Sequence, residues 1–259
     1  MKRAHLVCGG YPAGATAGHD MDYARLRLLD MLEPWQTTVS NDFNDLGKYL
    51  TQCDLLVSYV AGPFLTPEQA AEVEHWLETG GRWVALHGTS GGKAARIPNS
   101  NRRQMVKQDH HRALGAFFLN HPPLAAFTVE VTESDLTAGL PATFEVQDEL
   151  YLIEVQDPSV EVLLTTKMAN DPSPEGFGFA YDEDTSVGAD GETRVLGYRR
   201  PVGEGEVIYY ALGHCHNEAS NMQPLVDVSV SADGRSPKVF RGAWLGDEYI
   251  RLLQNALAA

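Results

Sequence analysis

The sequence predicts an α/β fold: a mixed sheet, mostly parallel, with helices on both faces. Three observations carry the prediction. Near-continuous apolar runs, "AHLVCGG" (4–10), "CDLLVSYV" (53–60) and "RWVALHG" (82–88), alternate with amphipathic segments through the first half of the chain. Such runs are strands buried on both sides, as in a parallel sheet covered by helices. In the second half "FTVEV" (127–131), "ELYLIEV" (149–155), "VEVLLTT" (160–166), "RVLGYRR" (194–200) and "EVIYYALG" (206–213) follow one another without full helices between them. The turn "PVGEGE" (201–206) reads as a hairpin joining the last two, so strands of the second half add to the sheet by local pairing.

The helices are placed by periodicity and caps. "DYARLRLLDML" (22–32) carries apolar side chains at Tyr23, Leu26, Leu29 and Leu32. Thr66-Pro67-Glu68-Gln69 is a capping box with proline at the first helical position, opening a helix with Ala70, Val73 and Leu77 on one face that Gly80-Gly81 ends. "DEYIRLLQNAL" (247–257) is a final helix that packs back on the sheet. With 259 residues and no repeat or low-complexity tract, the chain reads as a single domain over 1–259. Three long loops, 88–111, 169–193 and 217–243, flank strands and are placed to form the rims of a pocket.

Composition excludes several classes of function. The formal charge of −15, from 35 acidic and 20 basic residues, repels a phosphate backbone, so nucleic acid is not a partner. The one basic cluster, "GKAARIPNSNRRQMVK" (92–107), reads as a solvated insertion. Cys8, Cys53 and Cys215 form no disulfide framework and read as free thiols in a reducing compartment. The N-terminal apolar run is short for a signal peptide, and no run is long enough to cross a bilayer. The expectation is a cytoplasmic protein with no membrane partner, one that can pair with further copies of itself.

Ligands of an open parallel sheet bind beyond the carboxyl ends of its strands, and several polar residues fall there. His19 and Asp20 follow the first strand, His87 ends "RWVALHG", and "LGHCH" puts His214 and His216 after the last strand. Asp20 reads as a helix cap. Each histidine taken singly has a structural reading, and their convergence points to a site. His214 and His216, two apart, share a face if extended, which together with His87 makes a candidate site for a divalent metal such as Zn. The adjacent His110 and His111 point in different directions on a helix. "GGYPAG" lacks the glycine spacing of a dinucleotide fingerprint and "GTSGG" the ending of a P-loop, so no nucleotide cofactor is expected. The strand-to-turn corner at His87-Gly88-Thr89-Ser90, where α/β hydrolases set a nucleophile, has no cysteine, which leaves acid–base or metal chemistry.

"WVALHG", "GAFFLNHPP" (115–123), "LTAGLPATFEVQDELY" (136–151) and "GEGEVIYYALGH" (203–214) resemble, in order, the motifs of the trehalose-utilisation, or ThuA-like, family. The resemblance implies a flavodoxin-like domain related to class I glutamine amidotransferases but without their Cys-His pair. It also implies a role in catabolism of disaccharides, often beside an oxidoreductase that makes 3-keto sugars. The positions matching its motifs are His19, His87, His121, Asp148, Glu149, Tyr151 and His214. Adjacent strand residues face opposite ways, so one of Asp148 and Glu149 faces the pocket, and Glu149 is chosen. The reading assigns His87, Glu149 and His214 to catalysis, and His19, His121, Tyr11 and Tyr151 to substrate contact, with Trp244 a further ring for stacking on a sugar. The expected ligand is a carbohydrate, and the rival expectation is a protein that binds a sugar without turning it over.

Overall fold

Alternation within the buried strands sets the architecture. In the computed structural model, which describes residues 2–9 and 18–258, successive side chains of each central strand enter opposite cores. The first strand, β1 (Arg3–Gly9), sends Ala4, Leu6 and Cys8 to one face and Val7 to the other. β3 (Leu55–Val60) and β4 (Arg82–Leu86) divide in the same way, with Val57 and Val84 on the first face and Leu56 and Ala85 on the second. The first core is closed by α1 (Met21–Met31) and α5 (Asp247–Ala258). The second is closed by α2 (Leu46–Leu50), α3 (Pro67–Glu78) and α4 (Asp109–Leu114). Helices therefore cover both faces, as the apolar runs require.

The remaining strands are β2 (Gln36–Ser40), β5 (Lys93–Arg96), β6 (Arg103–Val106), β7 (Ala116–Asn120), β8 (Ala125–Val131), β9 (Thr143–Asp148), β10 (Leu152–Val155), β11 (Glu161–Lys167), β12 (Thr193–Val202) and β13 (Gly205–Tyr210). Nine of the strands form one sheet in the order β2-β1-β3-β4-β13-β12-β11-β8-β9. Pairing is parallel from β2 to β13 and antiparallel from β13 to β9. The hairpin between β12 and β13 is thus where the sheet changes sense. Among the described residues no helix is long and apolar enough to cross a membrane.

Several elements differ from the residue pattern. Leu26 is 69% exposed, and α1 buries Ala24 and Leu28 instead, because the i, i+4 row through those positions faces the sheet. "ELYLIEV" is a strand only over β10, which leaves the main sheet and pairs with β7, and Glu149 to Tyr151 form the corner before it. The 88–111 segment is ordered by a hairpin of β5 and β6. Its Arg102 guanidinium donates to the carbonyls of Phe177 (3.3 Å) and Phe179 (3.1 Å), so part of this basic stretch is a clamp on the next loop.

The glycines of "GEGEV" are explained by close approach. A Cβ on Gly205 would sit 2.1 Å from the Gly81 carbonyl oxygen and 2.4 Å from that of Leu77. Backbone of two elements meets there, with no flexible side chain to give way. Gly205→Ala is expected to cost about 1–3 kcal/mol of stability, read as a lower urea midpoint with an unchanged slope.

A second prediction concerns pH. His5 lies buried between Thr38 Oγ1 (2.8 Å) and Ser40 Oγ (3.2 Å), and burial lowers its pKa to about 4. The folded protein keeps this ring neutral, whereas the unfolded chain protonates it below about 6.5. Its contribution is therefore complete above pH 6.5 and declines as the pH falls toward 4. Urea midpoints between pH 7 and 5 should fall, and His5→Gln should make that fall shallower.

Candidate functional site

The site begins with the register of two parallel strands. Leu86 of β4 pairs with Tyr210 of β13, so both strands end at one level and deliver His87 and His214 to the same edge. His87 has φ +42°, a strained value for a side chain with a Cβ, held at the strand-to-turn corner. After β13, Gly213 takes φ +118°, and a Cβ there would stand 2.4 Å from the Tyr249 hydroxyl. That turn aims two successive N–H groups at one carboxylate. Asp148 Oδ2 accepts from Gly213 N (2.8 Å), and Oδ1 accepts from His214 N (2.9 Å) and from Glu149 N (2.7 Å). Burial pushes the Asp148 carboxyl up, and the backbone donors oppose that shift.

Glu149 faces the other way, into a cavity of about 550 Å³. Its Oε2 lies 3.3 Å from His87 Nε2 and 3.2 Å from His214 Nδ1, and its Oε1 lies 3.2 Å from His121 Nδ1. Gln223 donates an amide hydrogen to the same Oε1. Burial alone would raise the Glu149 carboxyl, but His121 and His214 hold it well below the usual carboxylate range. Burial likewise works to lower His214, and Glu149 outweighs it and raises that ring. His19 completes the group from the segment before α1, its ring centre 5.0 Å from those of both His87 and His214. One donor atom from each of His19, His87, Glu149 and His214 lies within 4.8 Å of the others, a nitrogen and oxygen set that suits a divalent cation.

Around this polar floor the walls are aromatic and glycine-lined. Tyr151 lies against His87 with ring centres 4.0 Å apart, and Phe64, Phe118, Phe177 and Phe179 line the cavity. Each of the three long loops contributes: Gly91 and Met105 from the first, Phe177 and Phe179 from the second, Met222 and Gln223 from the third. The second loop is fastened by Asn120, whose amide donates to Asp171 Oδ2 (2.9 Å) and whose Oδ1 accepts from Phe179 N (2.9 Å).

The structure brings His19, His121, Glu149, Tyr151 and His214 to the lining of one cavity, with His87 buried directly against Glu149 and Tyr151. Asp20 is the cap of α1, accepting from Tyr23 N at 3.2 Å. Two residues are corrected. His216 is not a second ligand: its Nδ1 meets His214 Nε2 at 3.0 Å and its Nε2 meets the Pro237 carbonyl at 2.8 Å. The two rings do lie side by side, but His216 has one nitrogen on His214 and the other on Pro237, which leaves it none to turn toward Glu149. Trp244 is buried in the core and donates to the Gly213 carbonyl (2.7 Å), so it offers no face to a sugar. Tyr11 lies outside the described residues. Sequence reading misses Gln223 and the phenylalanines, although "GFGFA" (176–180), apolar within an acidic loop, is a visible signal.

The family model for trehalose utilisation, ThuA, matches residues 16–228. No match is found among curated proteins. Among solved structures, a ThuA-like protein from Bacteroides uniformis superposes with a TM-score of 0.63 at 17% identity, covering 98% of this chain and 89% of its own. A ThuA-like protein from Parabacteroides merdae gives 0.57 at 13% identity, covering 99% and 89%. A β-galactosidase from Bacillus circulans gives 0.52 at 12% identity over 82% of this chain and 28% of its own. At these identities the likeness is one of fold, consistent with the flavodoxin-like expectation. The chain belongs to the trehalose-utilisation (ThuA) family, and its role is carbohydrate-related.

Proposed function

We propose that the protein is an enzyme of carbohydrate catabolism that acts on a disaccharide or other glycoside in its 3-keto form. The observation that carries the reading is the buried Glu149 carboxylate at the base of an aromatic cavity, within 3.3 Å of His87, His121 and His214. Aromatic walls suit the apolar faces of a pyranose, and a cavity of about 550 Å³ lies in the range of small-molecule sites. Thiol chemistry is disfavoured: burial pushes Cys8, Cys53 and Cys215 each up to about 12, and Cys215, next to His214, turns its Sγ to the Asp20 carbonyl.

A ketone at C3 acidifies the proton on C2. His121 is the residue we assign to take it. Its Nδ1–H lies between the Pro122 carbonyl (2.9 Å) and Glu149 Oε1 (3.2 Å), which leaves Nε2 as the basic nitrogen. The electron pair of the broken C2–H bond first moves onto the C3 oxygen, giving a C2=C3 enediolate, and then returns to form C1=C2 as the C1–O bond breaks. The departing oxygen takes the proton from His121. His19, His87 and His214 present positive charge, as protons or around a bound cation, to the enediolate oxygen. Such a cation would supply Lewis-acid polarisation of that oxygen. Tyr151 holds the sugar face against the floor.

A 3-keto-disaccharide incubated in D₂O and followed by NMR tests the reading. Expected are deuterium at C2 of recovered substrate and release of the C1 substituent, both reduced at least about 100-fold in His121→Ala. Stoichiometric binding with neither exchange nor release would make the protein a sugar binder instead.

A further inference from the structure

We propose that His19, His87, Glu149 and His214 hold one divalent transition-metal cation, and that His216 is the outer-shell group that orients His214 for it. Occupancy by a cation can hold or fail whatever the pocket does to a sugar, so the two readings are tested separately.

The hydrogen bonds assign the tautomers. A carbonyl only accepts, so His87 Nδ1 carries the hydrogen given to Ala211 O at 2.7 Å, and its lone pair is on Nε2. His216 Nε2 carries the hydrogen given to Pro237 O, so the neutral ring accepts at Nδ1 from His214 Nε2–H. In the neutral ring, the form that binds a cation, the lone pair of His214 is then on Nδ1. Both lone pairs face Glu149 Oε2, at 3.3 and 3.2 Å, without hydrogen-bond geometry. Neither ring is more than 1% exposed, so water does not offset the mismatch. A shared proton satisfies one of these contacts at a time, whereas a cation satisfies both nitrogens and the carboxylate together. Zinc–ligand bonds of about 2.0–2.1 Å place tetrahedral donors about 3.4 Å apart, close to the 3.3 and 3.2 Å between Glu149 Oε2 and the two nitrogens. All four donors lie within 4.8 Å of one another.

The surrounding groups match what a metal centre needs. Two of the ligand imidazoles give their second nitrogen to a fixed acceptor, Ala211 O for His87 and His216 for His214. Glu149 Oε1 is held by Gln223, which leaves Oε2 to the nitrogens. The donor set contains no thiolate and suits Zn²⁺, Co²⁺, Mn²⁺ or Fe²⁺.

The test is metal content after purification, followed by titration of chelator-treated protein with Co²⁺ (read by its visible absorption) and with Zn²⁺. Expected are one cation per chain in the wild type and loss of tight binding in His87→Ala and His214→Ala. His216→Ala, which keeps all four donors, should bind about 10–100-fold more weakly. His75→Ala, which removes a ring 80% exposed on α3, should bind as the wild type does. The proposal is overturned if the wild type binds neither cation, if His87→Ala and His214→Ala bind as tightly as it does, or if His75→Ala loses binding alongside them.

Discussion

β4 and β13 lie side by side in parallel and end together, Leu86 opposite Tyr210, and the site is assembled on that shared edge. The corner after β4 lifts His87 into a left-handed backbone conformation, and the turn at Gly213 does the same work for His214. Asp148, arriving from the antiparallel side of the sheet, ties the second corner down through two backbone donors, Gly213 N and His214 N. One residue later the chain presents Glu149 to the cavity. Two adjacent carboxylates thus divide two tasks because consecutive residues point in opposite directions.

Burying Glu149 among apolar rings is unfavourable unless positive charge accompanies it. A cation shared with the histidine nitrogens would meet that requirement, and the aromatic walls strengthen the attraction by excluding water from the cavity floor. The three long loops are not loose cover. Arg102 holds the carbonyls of Phe177 and Phe179, Asn120 holds the same loop from β7, and Gln223 reaches Glu149 from the third. The same contacts that order the rim set the walls that meet a sugar.

Much of this was legible in the chain. Strands buried on both faces write themselves as unbroken apolar runs, which is why β1, β3, β4 and β13 are visible. The capping box at Thr66 marks the start of α3 equally plainly. β2, "QTTVS", escapes notice because it is an edge strand with an exposed, polar sequence and no apolar alternation. The position of β10 depends on a long-range pairing with β7 that local pattern does not encode. In the site, His19, His87 and His214 could be named because strand ends are identifiable, and Glu149 through the family resemblance and the opposite facing of adjacent residues. The place of His216 could not, since it turns on the Pro237 carbonyl, which a long loop brings back beside the ring. Gln223 was hidden in a loop whose path is set by tertiary contacts.

The central claim is that one carboxylate gathers histidine lone pairs around a common point. A crystal structure with anomalous data at the edge of a bound transition metal tests it most directly. The account predicts a single peak at about 2.0–2.2 Å from donor atoms of His19, His87, Glu149 and His214, with His216 behind His214 and outside bonding distance. No peak, with Glu149 hydrogen-bonded directly to protonated rings, would contradict it.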